Sequence, residues 1–181
     1  MRIEHLASAA GLTVAWRPFD RSAMDRPPGT PRLANSPGPF SNPVKLGYMW
    51  RDLERRAVLH GLPYRKPAIY PVQWRQTAWV GLVGNKEGWG AAFTRRVFTM
   101  NFAEGRSIGI DDNLAEAVRD IGQDPVAVLA KANQPQVESE LLAATEEARA
   151  RKMFGSPHFW VGGELFWGDD RLEEAIQWAR R

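Results

Sequence analysis

The sequence predicts an α/β fold in which a block of helices interrupts a smaller domain built from both ends of the chain. Near the N-terminus, a helical pattern is followed at Leu12–Arg17 by alternating apolar and polar residues, which is typical of a half-buried strand. Near the C-terminus, segment 154–181 has the pattern of a β-hairpin followed by an amphipathic helix. The residues between these two parts show mainly helical periodicity.

The first helix and the first strand are predicted from short, local signals. Apolar residues recur at helical spacing and Gly11 ends the helix; they are Ile3, Leu6, Ala7 and Ala10. Pro18 then closes the strand at Leu12–Arg17. Residues Phe19–Asn42 form a long proline-rich loop, and an ordered loop of that length usually serves a site or packs as a lid.

The middle of the chain is predicted to be helical. The predicted helices cover 43–60, 74–83, 89–104, 111–121, 125–132 and 135–152. Pro43 suits the first turn of the first of these helices, whose apolar stripe is Leu46, Met49, Trp50, Leu53 and Ala57. Gly84 is expected to end the second helix. These patterns predict one domain from 1–20 and 136–181, a helical insertion at 43–135, and a proline-rich connection at 21–42.

The C-terminal segment is predicted in most detail. His158–Val161 and Glu164–Trp167 are short aromatic-rich strands, and Gly162-Gly163 can supply the positive φ angles of a two-residue hairpin turn. Gly168-Asp169-Asp170 then predicts a break and a helix N-cap. The apolar stripe of the last helix is Leu172, Ala175, Ile176 and Ala179.

Composition excludes several classes of function. The 24 Lys and Arg residues stand against 21 Asp and Glu residues and form no basic run, so nucleic acid is not an expected partner. The chain contains no cysteine, which excludes disulfides, a Cys-x-x-Cys redox centre and a cysteine nucleophile within it. No spacing of His, Asp and Glu predicts a metal site. With no signal peptide or membrane span in the sequence, we expect a cytoplasmic protein.

Six segments, taken in order, resemble the 2-hydroxychromene-2-carboxylate isomerase family. They are Trp16–Phe19, Pro43–Arg55, Arg96–Phe98, Phe102–Gly105, Phe154–Pro157 and Phe166–Arg171. The resemblance extends from about Leu12 to Trp178. That family is grouped with kappa-class glutathione transferases and the DsbA-like fold. The resemblance therefore implies a thioredoxin-like fold with an all-helical insertion.

The resemblance also implies a function. It implies a glutathione-dependent isomerase of aromatic-compound catabolism, with glutathione as cofactor and a small aromatic carboxylate as substrate, and it allows a homodimer. Two alternatives stay open. One is conjugation of glutathione, as in kappa-class transferases, and the other is a catalytically impaired glutathione-binding module.

Four residues in the C-terminal segment are the main candidates for glutathione binding. An X-Pro bond is cis in only about 5–6% of cases, but the resemblance implies that Ser156-Pro157 is cis. The backbone N–H and C=O of Ser156 would then pair with a cysteinyl peptide. The resemblance also assigns Asp169 and Asp170 to the γ-glutamyl end, with Asp170 at its ammonium group and helix N–H groups at its carboxylate. The alternative role of both aspartates is helix capping.

Five further residues are weaker candidates. Asn35, in the proline-rich loop, is a counterpart of a family asparagine that touches glutathione, although a turn-forming Asn would look the same. Lys45 opens a helix, where its positive charge opposes the helix dipole. A nearby anion such as the substrate's carboxylate would explain this position. A solvated lysine is the alternative. Gln73 and Trp74 depart from the family's usual segment and could reshape the substrate pocket. His158 follows Pro157 and is either a titrating group or a packed strand residue.

The catalytic residue is expected upstream of Met1. Family members begin with a strand and a Ser-Pro-Tyr-like turn whose serine activates the glutathione thiol, whereas Met1 falls inside or just before the following helix. A central strand cannot be lost without leaving buried backbone groups unpaired. Three explanations stay open: the sequence begins late, another segment or subunit fills the gap, or the protein is a shortened relative with altered function.

Overall fold

A computed structural model describes residues 2–24, 42–70 and 74–181. The helices are Arg2–Ala9 (α1), Arg21–Met24 (α2), Pro43–Leu59 (α3), Arg75–Glu87 (α4), Gly90–Phe102 (α5), Asp111–Asp120 (α6), Pro125–Ala132 (α7), Pro135–Ala150 (α8) and Leu172–Trp178 (α9). The strands are His158–Val161 (β1) and Glu164–Trp167 (β2). Among these helices, none is both long enough and apolar enough to cross a membrane.

The chain divides into two compact units. The first comprises Met1–Pro28 and Ser139–Arg181, and the second comprises Gly29–Glu138. The first unit contains α1, α2, the hairpin and α9, together with the part of α8 from Ser139 onward. The second unit contains α3 to α7.

The hairpin of the first unit has the predicted strands and turn. β1 and β2 pair antiparallel, with His158 opposite Trp167 and Val161 opposite Glu164. Gly162 and Gly163 have φ angles of +56° and +86°, a combination that a two-residue hairpin turn of the mirror-image type requires. The prediction from the Gly-Gly pair is therefore confirmed.

The predicted strand at Leu12–Arg17 is wrong, because this segment has no regular secondary structure. The alternation itself persists: Leu12, Val14 and Trp16 are half-buried, and the residues between them are exposed. Alternation predicts which side chains are covered, but a strand also needs a neighbouring strand to form its hydrogen-bond ladder. Within the described residues, only β1 and β2 form a ladder.

Side chains on α8 fix residues 20–24 within the first unit. The backbone N–H of Asp20 donates to Thr145 Oγ1 at 2.9 Å, and both residues are buried. The Arg149 guanidinium donates to the carbonyl oxygens of Ala23 at 2.7 Å and Met24 at 3.2 Å. These bonds satisfy backbone groups that would otherwise be costly to bury.

The core of the second unit is formed by α4 to α7. Its fully buried members include Val80, Phe93, Met100 and Leu114. The longer helix α3 is less covered than its predicted stripe requires, since Trp50 and Ala57 are buried but Leu53 is 37% exposed. The Trp50 ring packs edge-on against Tyr70, with 4.8 Å between ring centroids.

Gly84 does not end α4, contrary to the prediction. The helix continues to Glu87 and ends at Gly88, whose φ of +85° is the left-handed conformation common at helix ends. Gly84 is buried, and a Cβ atom there would lie 2.6 Å from the Trp89 ring and 2.9 Å from the Cα of Gly90. Close packing, rather than a helix end, therefore accounts for this glycine.

This packing predicts opposite effects for two Gly→Ala substitutions in helices. Gly84→Ala should lower the free energy of unfolding by about 1–2 kcal/mol, because overpacking outweighs the gain in helix propensity. Gly47→Ala in α3 should raise it by about 0.5–1 kcal/mol, since a Cβ there meets nothing within 4 Å. Urea denaturation of both variants measures the difference, and equal effects at the two positions would contradict the packing role of Gly84.

Candidate functional site

The loop before β1 presents Ser156 and Pro157 to solvent. Both residues are exposed, and the peptide bond between them is cis, as the resemblance implied. Ser156 makes no hydrogen bond with any other described residue. Its backbone N–H and C=O are therefore available to a ligand.

Gly168 connects this loop with the acidic pair that follows β2. Its N–H donates to the carbonyl oxygen of Pro157 at 3.0 Å, which extends the hairpin beyond the His158–Trp167 pair. Its φ of +104° favours glycine, and a Cβ atom there would overlap the Asp170 Oδ1 atom. The Asp170 carboxylate thus lies against a residue that is itself bonded to Pro157.

Asp169 and Asp170 have different surroundings. The Arg2 guanidinium on α1 donates to the carbonyl oxygen of Asp169, lies 3.5 Å from its Oδ2, and bonds to Glu173 Oε1 at 2.7 Å. The Asp170 side chain is exposed and has no hydrogen bond or ion pair within the described part of the chain. Asp170 is therefore the carboxylate that a cationic ligand group could bind without displacing Arg2.

The break and N-cap predicted at Gly168-Asp169-Asp170 are found at Gly168, and only capping by the two aspartate side chains is wrong. The cap positions of the 3₁₀ turn Asp169–Arg171 and of α9 are Gly168 and Arg171, and neither provides a side-chain cap. Asp169 and Asp170 lie one and two positions after Gly168, in the first turn, where their negative charges complement the helix dipole. The positive φ of Gly168 causes this shift, because the chain changes direction there rather than at an aspartate.

His158, the first residue of β1, contacts the loop that precedes it. Its Nδ1 lies 2.6 Å from the carbonyl oxygen of Gly155, and its ring packs edge-on against Phe154 with 4.8 Å between centroids. Nε2 is buried and has no partner among the described residues. Burial lowers the pKa of His158, and the positive charge of Arg21 lowers it further, while the bond to Gly155 opposes the shift.

Gly155 must lack a side chain for this arrangement to form. A Cβ atom there would lie 2.7 Å from the indole Nε1 of Trp167. The sequence marked Gly168 only as part of a predicted break and Gly155 only within the segment Phe154–Pro157, and Arg2 was not singled out. A glycine on each side of the hairpin was the available signal for the first two, whereas nothing local marks Arg2.

The remaining predicted site residues lie in the second unit, some of them outside the described residues. Lys45 is exposed at the start of α3, where its N–H donates to Asn42 Oδ1 at 3.2 Å. Trp74 is half-buried just before α4. Asn35 and Gln73 lie outside the described residues. The proposed roles of all four stay predictions.

The second unit also contains a cavity of about 360 Å³. It is lined by Pro67, Ala68, Ile69, Gly105, Arg106, Ser107, Ile110 and Asn113, none of which is a predicted site residue. Arg106 binds Glu116 at 2.6 Å and Asn113 at 2.8 Å, so its charge is already paired. Among the residues described, no group of three or more His, Asp and Glu could hold a metal ion.

Comparison with known proteins gives one consistent result. The family model of the DSBA-like thioredoxin domain matches residues 1–177. The 2-hydroxychromene-2-carboxylate isomerase of Sphingobium xenophagum is 27% identical over 96% of this chain and 86% of its own length. The protein of the same name from Pseudomonas putida is 28% identical over 94% of this chain and 81% of its own.

A solved structure of a 2-hydroxychromene-2-carboxylate isomerase has the same fold. It superposes with a TM-score of 0.81 at 28% identity, covering 96% of this chain and 82% of that one. The fold predicted from the resemblance, a DsbA-like thioredoxin fold, is confirmed. The resemblance to this group of isomerases is confirmed as well.

The surroundings of His158 predict a pH dependence of stability. Because its pKa in the folded chain lies below the ordinary value of 6.5, protonation favours the unfolded chain. Its contribution to stability should therefore be present above about pH 6.5 and be lost as the pH falls through the folded-state pKa. The free energy of unfolding of the wild type, measured relative to His158→Gln, should fall between pH 7 and pH 5. A difference that stays constant or grows in acid would contradict this account.

Proposed function

The chain belongs to the family of DsbA-like thioredoxin domains, and on this basis we propose that it is a glutathione-dependent isomerase. We further propose a small aromatic carboxylate of the 2-hydroxychromene-2-carboxylate type as its substrate. Support comes from the relatives of that name, which match nearly the whole chain. The reaction would belong to aromatic-compound catabolism in the cytoplasm.

Ser156 is proposed to bind the cysteinyl part of glutathione through its backbone. One exposed residue with both an N–H and a C=O free can pair with an extended peptide in the manner of an added strand. The observation that carries the proposal is this combination of free Ser156 backbone groups with the adjacent Asp170 carboxylate. When bound, glutathione would supply the thiolate nucleophile that a chain without cysteine lacks.

Asp170 is proposed to bind the ammonium group of the γ-glutamyl residue. A charge-assisted hydrogen bond between a carboxylate and an ammonium group is among the stronger polar contacts. Arg2 forms ion pairs with Asp169 and Glu173, and Arg171 forms one with Glu174, whereas Asp170 has no ion partner among the described residues. The Asp170 carboxylate lies beside Gly168, whose N–H is bonded to Pro157, so both proposed contacts would come from one corner of the hairpin.

Three residues outside this corner stay candidates on weaker grounds. Asn35 is proposed as a further glutathione contact. Lys45 is proposed to bind the carboxylate of the substrate, since its ammonium group is exposed and has no ion partner among the described residues. Trp74 is proposed to contact the aromatic ring of the substrate.

Thiol–disulfide exchange is not the proposed reaction, although the name of the family suggests it. Thiol–disulfide exchange by a protein needs a cysteine thiolate, and this chain has none. The thiol must therefore come from a bound molecule. Glutathione has the ammonium group and the peptide backbone that the corner at Ser156 and Asp170 can bind.

Glutathione binding should depend on the charge of Asp170. Asp170→Asn should raise the dissociation constant for glutathione about tenfold or more, because the amide cannot neutralise the ammonium group. Asp112→Asn is the matched control, since Asp112 is also an exposed aspartate in the first turn of a helix. Calorimetry measures both constants, and circular dichroism checks that both variants fold. Equal affinities for the two variants would refute the assignment of Asp170.

The isomerase activity is tested separately. The wild type should convert 2-hydroxychromene-2-carboxylate to its isomer only when glutathione is present, as followed by the ultraviolet spectrum. Binding of glutathione without conversion would leave the cofactor proposal standing and overturn the isomerase proposal. A rate that is the same without glutathione would overturn the cofactor's role.

A further inference from the structure

The indole N–H of Trp167 is a hydrogen-bond donor beside the proposed glutathione site. The Trp167 side chain, at the end of β2, is 55% exposed, and its Nε1 has no hydrogen-bond partner among the described residues. The Cβ position of Gly155 lies 2.7 Å from Nε1 but 3.3 and 3.5 Å from the two adjoining ring carbons. The nitrogen edge of the ring is therefore the part that faces Gly155, the residue before Ser156.

Aromatic packing orients this donor. The Phe154 ring packs edge-on against the Trp167 ring with 5.0 Å between centroids, and the His158 ring lies at 6.5 Å. Ring pairs at such separations stabilise one orientation of the side chains. An exposed indole N–H bonds to water in the absence of a ligand, so a ligand group can replace that water without breaking a bond within the described chain.

The backbone of Ser156 determines the direction in which a peptide can cross the site. One residue exchanges both of its backbone hydrogen bonds with a single opposite residue only in antiparallel pairing. The N-terminal end of a paired peptide would therefore lie toward Pro157, and its C-terminal end toward Gly155. Asp170 lies on the Pro157 side, because it lies beside Gly168, whose N–H is bonded to the Pro157 carbonyl.

The charges at the two ends of the site fit the same direction. Asp170 supplies a negative charge on the side of Pro157. At the opposite end, burial lowers the pKa of His158 and the positive charge of Arg21 lowers it further. Because His158 Nδ1 lies 2.6 Å from the carbonyl oxygen of Gly155, that positive charge also acts on a group bound beside Gly155. A cation is thus favoured at one end of the site and an anion at the other.

We propose that the indole N–H of Trp167 binds the glycyl carboxylate at the C-terminal end of glutathione. The contact selects γ-glutamyl peptides that have a free carboxylate at this end, because a hydrogen bond to a charged acceptor is stronger than one between neutral groups. The inference rests on the proposed glutathione site and adds to it a residue that determines specificity. Trp167 acts in binding, and no step of the reaction is assigned to it.

Comparison of glutathione with its glycyl ethyl ester tests the contact. The ester keeps the ammonium group, the thiol and both peptide bonds, but it has no charge at the C-terminal end. The wild type should bind glutathione about tenfold more tightly than the ester. Trp167→Phe keeps an aromatic ring without the N–H, and it should reduce this preference to about twofold or less by weakening the binding of glutathione alone.

The matched control is Trp160→Phe, since Trp160 is a tryptophan of β1 that is 40% exposed. This variant should keep the full preference for glutathione. Calorimetry measures each dissociation constant, and circular dichroism checks that both variants fold. A second readout needs no variant: the indole N–H signal of Trp167 in the isotope-labelled wild type should shift when glutathione saturates the chain and shift much less with the ester.

The possible outcomes separate this contact from the glutathione site itself. A wild type that binds neither ligand would overturn the proposed site and this inference with it. Binding of glutathione by the wild type, with an undiminished preference in Trp167→Phe, would overturn the contact and leave the site standing. Equal weakening of both ligands in that variant, or an indole signal that responds alike to both ligands, would also overturn the contact.

Discussion

The hydrogen bond from the Gly168 N–H to the Pro157 carbonyl holds the candidate site together. It extends the hairpin one step beyond the pair of His158 and Trp167 and so joins the loop before β1 to the segment after β2. The turn at Gly162-Gly163 fixes the register of the two strands. A slip of one residue would turn the side chains of one strand to the other face and remove the bond between Gly168 and Pro157.

The surroundings of this bond consist of contacts that allow little substitution. Gly155 lacks space for a Cβ atom because of the Trp167 ring, and Gly168 has a φ of +104°, a conformation that favours glycine. His158 binds the carbonyl oxygen of Gly155, and Arg2 attaches α1 to the backbone of Asp169. These contacts preorganise the corner, which reduces the conformational entropy that the protein loses when it binds a ligand.

The parts predicted correctly from the sequence depend on local signals. Two adjacent glycines determine the hairpin turn, and Pro43 marks the start of α3 because a helix leaves its first N–H groups unpaired. Leu12–Arg17 was predicted wrongly because a strand depends on a neighbour that the local pattern does not reveal. Gly84 was mistaken for a helix end. Glycine is needed there because the Trp89 ring packs against it, and the local sequence does not reveal that tertiary contact. Arg2 could not be found, since its partners lie at the other end of the chain.

The most direct test of the central claim is a titration of the isotope-labelled chain with glutathione, followed through its backbone amide signals. The account predicts that the largest shifts occur at Ser156, His158, Gly168 and Asp170, and that they saturate together with one dissociation constant. Shifts that leave these four amides unchanged, or that centre on the cavity lined by Ile69, Arg106 and Ile110 in the second unit, would contradict it.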